Sequence, residues 1–189
     1  MDVVDVRNGA VTERAGAAGG SGITQAPHPD GVTGARVTVE LEVAAGAHRF
    51  WDVISDVSRI GEFSPECVGA SWLDEAAPGP RQGASFRATN RFADGHTVEV
   101  PCVVTEAERS AVFAWAVLDR SGDPAAPGSV WRYELRPGSA PGTTLVRHTF
   151  EHGPGDTGAR RSPETFQERL GQLHDHMSRT LTAMAAAAV

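Results

Sequence analysis

The stretch RSPETFQERLGQLHDHMSRTLTAMAAAAV, residues 161–189, decides how this chain folds. Phe166, Leu170, Leu173, Met177, Leu181 and Met184 recur at spacings of four, three, four, four and three, which places them on one stripe of an amphipathic α-helix. Ser162 and Pro163 mark its start. A serine hydroxyl can accept from the free N–H groups of a first turn, a proline directly after it loses no needed donor, and Glu164 suits the positive end of the helix dipole. A lone helix of this length cannot bury such a stripe by itself. Strand-like segments fill most of the chain before it, so the helix is expected to lie along the concave face of a curved antiparallel sheet and to enclose a space with it.

Working back from the helix, residues 1–34 read as a flexible tail. Gly16–Gly22 is almost entirely glycine, alanine and serine, and Pro27, Pro29 and Gly31 follow; such a composition forms no packed core. Within it, the run Val3, Val4, Val6 is the candidate for an edge strand. Removing residues 1–33 is expected to leave stability nearly unchanged. The domain then spans 35–189. From Arg36 the pattern alternates, with Val37, Val39, Leu41 and Val43 on one side and Thr38, Glu40 and Glu42 on the other, a half-buried first strand. Residues 44–54 read as a helix carrying Phe50, Trp51 and Ile54, and 57–63 as a short second helix stopped before Pro65. Six further strands are expected at about 67–73, 83–92, 96–106, 111–119, 129–136 and 142–152, separated by turn clusters such as Asp94-Gly95 and Pro137 to Gly142. The class is α+β: a seven-stranded curved antiparallel sheet wrapped around a long C-terminal helix, with two short helices after the first strand.

Composition narrows the chemistry. The net charge of the 189 residues is −7 and no basic patch stands out, which argues against nucleic acid and anionic membrane surfaces. All 17 cationic residues are arginine. Without a lysine there is no Schiff base, hence no pyridoxal phosphate attachment and no imine-type aldolase chemistry. Cys67 and Cys102 form no C-x-x-C pair and fit a reduced, cytoplasmic setting. No apolar leader and no run long enough to span a bilayer occurs. His174-Asp175-His176 lacks the i, i+4 spacing of a helical metal pair, so no metal is expected; no G-x-G-x-x-G, P-loop or G-x-S-x-G is present, so no cofactor is expected either.

Four segments carry a family resemblance: Ile60-Gly61-Glu62-Phe63-Ser64-Pro65-Glu66-Cys67, Gly83-Ala84-Ser85-Phe86-Arg87 with Asn90-Arg91, Trp131-Arg132-Tyr133, and Gly142-Thr143-Thr144. Across roughly residues 36–185 the chain resembles the polyketide cyclase/dehydrase branch of the START-like (SRPBCC) superfamily. The resemblance implies a helix-grip fold with an internal cavity for a hydrophobic ligand; members include aromatase/cyclases, lipid carriers, hormone receptors and chaperone co-factors. Fold alone does not choose among these.

Strand phase identifies the side chains expected to face the cavity. In 83–92 they are Phe86, Ala88, Asn90 and Phe92; in 96–106, His96, Val98, Val100, Cys102 and Val104; in 129–136, Trp131, Tyr133 and Leu135; in 142–152, Val146, His148 and Phe150. Trp115 is assigned to the same side. A hairpin across Pro137 to Gly142 would set Trp131 roughly opposite His148. The expected catalytic cluster is His148, Tyr133 and Asn90, walled by Phe86, Phe92, Trp115, Trp131, Phe150 and Met177. His174, at the edge of the helix stripe, would close the cavity from above, while Asp175 and His176 point away. Each polar residue also has a purely structural reading: a satisfied core histidine, a tyrosine hydroxyl on a carbonyl, an asparagine at a bulge. Three polar groups in one apolar enclosure are costly unless water or a ligand satisfies them.

Three function classes follow, the first being the leading expectation and the second its alternative. A cofactor-independent cyclase/dehydratase acting on a polyketide-like or other natural-product intermediate would use His148 as base with Tyr133 and Asn90 as donors. A non-catalytic carrier or sensor of a hydrophobic ligand needs the same cavity and no base. An interaction module would present an outer rim, naturally Glu66 and the Phe63–Cys67 loop. The expected partner is a hydrophobic small molecule, and self-association as a homodimer stays open.

Overall fold

A computed structural model of the protein describes residues 20–189, apart from the side chains of Pro163 and Glu164. The Val3–Val6 run and the proposed role of Glu164 lie outside the described residues. The elements are β1 (Gly22–Thr24), β2 (Arg36–Val43), α1 (Ala47–Ser55), a 3-10 turn (Val57–Arg59), α2 (Ile60–Phe63), β3 (Cys67–Trp72), β4 (Ser85–Arg91), β5 (Thr97–Glu108), β6 (Val112–Val117), β7 (Ser129–Pro137), β8 (Thr144–His152), a second 3-10 turn (Gly158–Arg161) and α3 (Pro163–Ala187). The strands form one antiparallel sheet in the order β1-β2-β8-β7-β6-β5-β4-β3. The long helix and the pair of short helices after the first core strand stand where the hydrophobic periodicity places them.

The sheet has eight strands, not seven. The addition is β1, inside the stretch read as a tail, where Ile23 pairs with Val37 of β2. The loop that follows is tied down as well. Val32 and Ala35 are fully buried, the Gly34 N–H donates to the His152 carbonyl at 2.8 Å, and the Asp30 carboxylate accepts from the Val32 and Thr33 amides and pairs with Arg160. A composition rich in glycine and proline conceals one fully enclosed valine and one capped turn. Relative to a chain beginning at Gly20, a chain beginning at Ala35 is therefore expected to lose about 2 kcal/mol, roughly the burial of one valine; chemical denaturation of the two proteins measures it.

All six apolar residues of the α3 stripe are buried. Its start differs from expectation, because the Ser162 side chain makes no cap; Thr165 Oγ1 instead donates to the Ser162 carbonyl at 2.9 Å. The first helix begins after Gly46 rather than at Ala44. It buries Phe50, Trp51 and Ile54 beneath the sheet. The second is a 3-10 turn capped by Asp56, whose carboxylate accepts from the Ser58 N–H, and then a single α-turn. Helix α2 lies so close to β3 that a Cβ on Gly61 would press into the Val68 carbonyl. Only glycine permits that approach.

The opposite face of the sheet is a lattice of cross-strand ion pairs. Arg132 of β7 reaches Glu106 of β5 at 2.9 Å and Arg147 of β8 reaches Glu40 of β2 at 2.7 Å, while within β7 Arg132 also meets Glu134 at 2.7 Å. The alternation that sends these charges outward sends Trp131, Tyr133, Leu135, Val146 and His148 inward. In the β7–β8 hairpin, Tyr133 pairs with His148 and Trp131 with Phe150. The turn occupies residues 138–143, closed by the Gly138 N–H on the Thr143 carbonyl at 3.1 Å, so the register is displaced by two from that expected. Because side chains repeat with period two, the shift changes partners and leaves every residue on its face.

Candidate functional site

Helix α3 packs against β2, α1 and α2. It covers β2 directly and leaves a space over the strands from β3 to β8. That space is a cavity of about 130 Å³. Ile54, Val57 and Ile60 close it from the helical support, and Leu173, Met177, Thr180 and Met184 from α3. The sheet contributes Phe86, Ala88 and Asn90 from β4, Val100 and Cys102 from β5, Phe113, Trp115 and Val117 from β6, Trp131 and Tyr133 from β7, and His148 from β8.

Aromatic rings run across this wall from strand to strand. Trp115 and Trp131 are parallel with centroids 6.2 Å apart, and Phe86 and Phe113 meet Trp115 at 6.1 and 5.5 Å. Tyr133 lies flat on His148, centroids 3.9 Å apart and planes 13° apart. The Trp131 indole N–H is satisfied by Ser129 Oγ at 3.2 Å. The Tyr133 hydroxyl reaches only the Met184 sulfur, at 3.6 Å, and burial pushes its pKa up.

His148 is 3% exposed. Neither ring nitrogen has a hydrogen-bond partner among the described residues. Burial alone drives its pKa down to about 3, with no charged neighbour to offset it. The imidazole is consequently neutral at pH 7, with one donor and one acceptor both unused.

Several expected site residues stand elsewhere. Asn90 does line the cavity, but on β4, four strands from His148 in the sheet, so the anticipated His148–Tyr133–Asn90 cluster is a His148–Tyr133 pair and a separate Asn90. Phe150 is buried behind Trp131, edge-on at 5.0 Å. It is part of the buried core and is not among the residues lining the cavity. Strand β4 ends at Arg91 and β5 starts at Thr97, which leaves Phe92 and His96 in the connecting turn, stacked on each other at 6.5 Å, with Phe92 37% exposed. Trp115, Trp131, Phe86 and Met177 line the cavity as expected.

The two histidines of α3 exchange roles. Arg169, Leu173, His176, Thr180 and Met184 are spaced four, three, four and four apart and share the flank of the helix that looks over the cavity. Leu170, His174 and Leu181 lie on the other flank. His174 is accordingly absent from the cavity wall, half-buried beside Asp175, whereas His176 lines it. Glu66, also on the wall, accepts from Arg169 through both carboxylate oxygens, at 2.7 and 2.5 Å, and meets His176 Nδ1 at 3.2 Å. This ion-pair cluster joins the α2–β3 loop to α3 beside the cavity, and the Arg169 guanidinium also lies 5.8 Å over the Phe92 ring. Its sequence signal was the continuation of the helix period through the polar residues 169, 176 and 180, which a stripe drawn only from apolar residues does not include.

Cys67 and Cys102 are free thiols on the same wall, and burial raises both pKa values. Among the described residues no three His, Cys, Asp or Glu side chains converge as metal donors. No helix among the described residues is long and apolar enough to cross a membrane.

Comparison with solved structures places the fold. A START superfamily protein from Mycobacterium smegmatis superposes with a TM-score of 0.61 at 16% identity, over 82% of this chain and 99% of that one. A polyketide-cyclase-like protein from Corynebacterium glutamicum gives 0.51 at 25% identity, over 79% and 88%. The di-domain ARO/CYC protein StfQ from the steffimycin biosynthetic pathway gives 0.57 at 14% identity, over 81% of this chain and 50% of that one. A search of curated proteins found no match. The family model described as polyketide cyclase / dehydrase and lipid transport matches residues 34–188, and with the helix gripped by its curved sheet around one aromatic cavity, the chain belongs to that family.

Proposed function

We propose that the domain binds a small apolar molecule in the cavity between α3 and the sheet, as a carrier or sensor and without proton transfer to His148. The observation that carries this reading is the wall itself: rings from four strands and methionines from α3 face one cavity, the lining usual for small-molecule sites. A cavity of about 130 Å³ is close to the roughly 150 Å³ that accommodates one benzene. Toluene is therefore the probe of choice. Calorimetric titration is expected to show saturable binding. Ala88→Leu, which places a larger side chain into the cavity from β4, should weaken it about tenfold or more, since the added atoms occupy the ligand's volume. Binding unaffected by Ala88→Leu would place toluene elsewhere and overturn the reading.

The second reading, a cyclase or dehydratase for a polyketide-like intermediate, is favoured by the family description. It requires a base whose pKa lies near the working pH. Burial instead holds His148 at about 3, and among the described residues no carboxylate orients its ring. A turnover that falls about a hundredfold in His148→Ala would establish the enzyme.

A further inference from the structure

We propose that His148 anchors the polar end of the ligand, and that the ligand class is a single-ring, uncharged aromatic compound carrying one hydroxyl or carbonyl group, a phenol or an aryl ketone. The inference rests on the cavity-binding reading above and specifies it.

Size sets the first limit. The cavity volume of about 130 Å³ matches one ring and its substituents. Shape sets the second. The parallel Trp115 and Trp131 indoles, with Phe86 edge-on and Phe113 tilted against Trp115, present flat faces and edges, which a planar ring meets with the offset or edge geometry that aromatic pairs prefer. Polarity sets the third. On the rest of the sheet wall near His148, the Tyr133 hydroxyl reaches the Met184 sulfur and the Trp131 indole N–H is taken by Ser129, so neither is unpartnered. His148 is the exception, almost completely buried, on the cavity wall, with both nitrogens unpartnered among the described residues. A buried polar group without a partner destabilises the fold, and apolar residues of like shape remove that cost. Its natural partner is therefore a group the ligand brings. A neutral imidazole can accept from a phenolic hydroxyl or donate to a carbonyl.

Charge sets the last limit. A carboxylate placed against a neutral histidine in this apolar recess would lack a countercharge. The Arg169 guanidinium beside the wall is already engaged by both oxygens of Glu66, which also meets His176. Anionic aryl acids are thus excluded.

Phenol, toluene and benzoate titrated into the full-length protein at neutral pH test this. Phenol is more strongly hydrated than toluene, so an apolar cavity alone would favour toluene. With His148 as anchor, wild-type protein is expected to bind phenol at least as tightly as toluene and benzoate not detectably. In His148→Leu the ratio of phenol to toluene affinity should fall about tenfold or more, the worth of one well-made buried hydrogen bond. His148→Gln keeps a donor and an acceptor and should recover part of the ratio. A readout independent of any variant is the ¹⁵N shift of the His148 ring nitrogens, expected to move on addition of phenol and to stay in place with toluene. Saturable binding of both compounds with an unchanged ratio in His148→Leu would overturn the anchor and leave the cavity reading standing. Failure of both compounds to bind would overturn the cavity reading and the anchor with it, and failure of phenol alone would overturn the anchor. Binding of benzoate above phenol would overturn the neutral ligand class.

Discussion

Leu181→Ala is expected to destabilise the protein by about 3–5 kcal/mol, the upper part of the range for a leucine truncated in a packed core. Leu181 is fully buried on the flank of α3 that faces away from the cavity, so its removal opens a new void. Leu173 differs although it belongs to the same stripe and is nearly as buried. One side of it already borders the cavity, so it has fewer atoms to lose contact with, and Leu173→Ala should cost about 2–3 kcal/mol. For a chain of this size, the larger loss corresponds to a fall in Tm on the order of 10 °C. Urea titrations of both variants, with exposed Arg179→Ala as reference, give the comparison. Equal costs for the two leucines would mean that the helix is rotated about its axis. A cost for Leu181→Ala within about 0.5 kcal/mol of the reference would mean that the stripe is not the clamp of the fold.

That pair of leucines shows what kind of information periodicity contains. The spacing of Phe166 through Met184 identifies which residues are buried, because burial depends on direction around the helix axis and spacing encodes direction. It is silent on what each faces across the interface, and here one flank meets packed sheet while the other meets a cavity. The same limit explains the two histidines. His174 and His176 are both marginal to an apolar stripe, and only the side on which the sheet stands away from α3 decides that His176 lines the wall. Strand phase behaved alike. It put Phe86, Trp115, Trp131, Tyr133 and His148 on the inner face, and a two-residue slip in the β7–β8 register did no harm, since faces survive even shifts. Partners do not survive them, so Tyr133 and not Trp131 stacks on His148. Phe92 and His96 were misplaced because phase has no meaning beyond the last paired residue, and the strand end at Arg91 is set by a turn with Gly95 at φ 84°. Phe150 was assigned to the right face and the wrong layer. The strand β1 escaped notice for a different reason: three residues beside a single buried valine carry too few side chains to raise a periodic signal above a Gly/Ala background.

Acidification is expected to unfold this protein through His148 as well as through its carboxylates, and the two contributions can be separated. In the folded chain burial holds the His148 pKa at about 3, against 6.5 when exposed. Between those values the unfolded chain binds a proton that the folded chain refuses, so stability rises with pH across that window. The contribution is fully present above about pH 6.5 and is lost progressively as the pH falls toward 3. At one pKa unit per roughly 1.4 kcal/mol, moving from pH 7 to pH 4 removes about 3 kcal/mol on this account. Glu106, Glu134 and Asp119, whose pKa values are lowered in the fold, also lose stability in acid, and so does buried His152, depressed mainly by burial. Those losses are common to wild type and His148→Leu. The variant should therefore be the more stable of the two at pH 7, by about 1–3 kcal/mol, because no unpartnered nitrogens remain buried. Its advantage should widen by about 3 kcal/mol at pH 4. Guanidinium titrations of both proteins at pH 7, 5.5 and 4 measure the widening directly. Parallel profiles would mean that His148 is solvated or partnered in solution, and with that the reason to assign it to a ligand would be gone. A widening gap would show that the fold retains a residue that lowers its own stability, which is the mark of a position kept for binding.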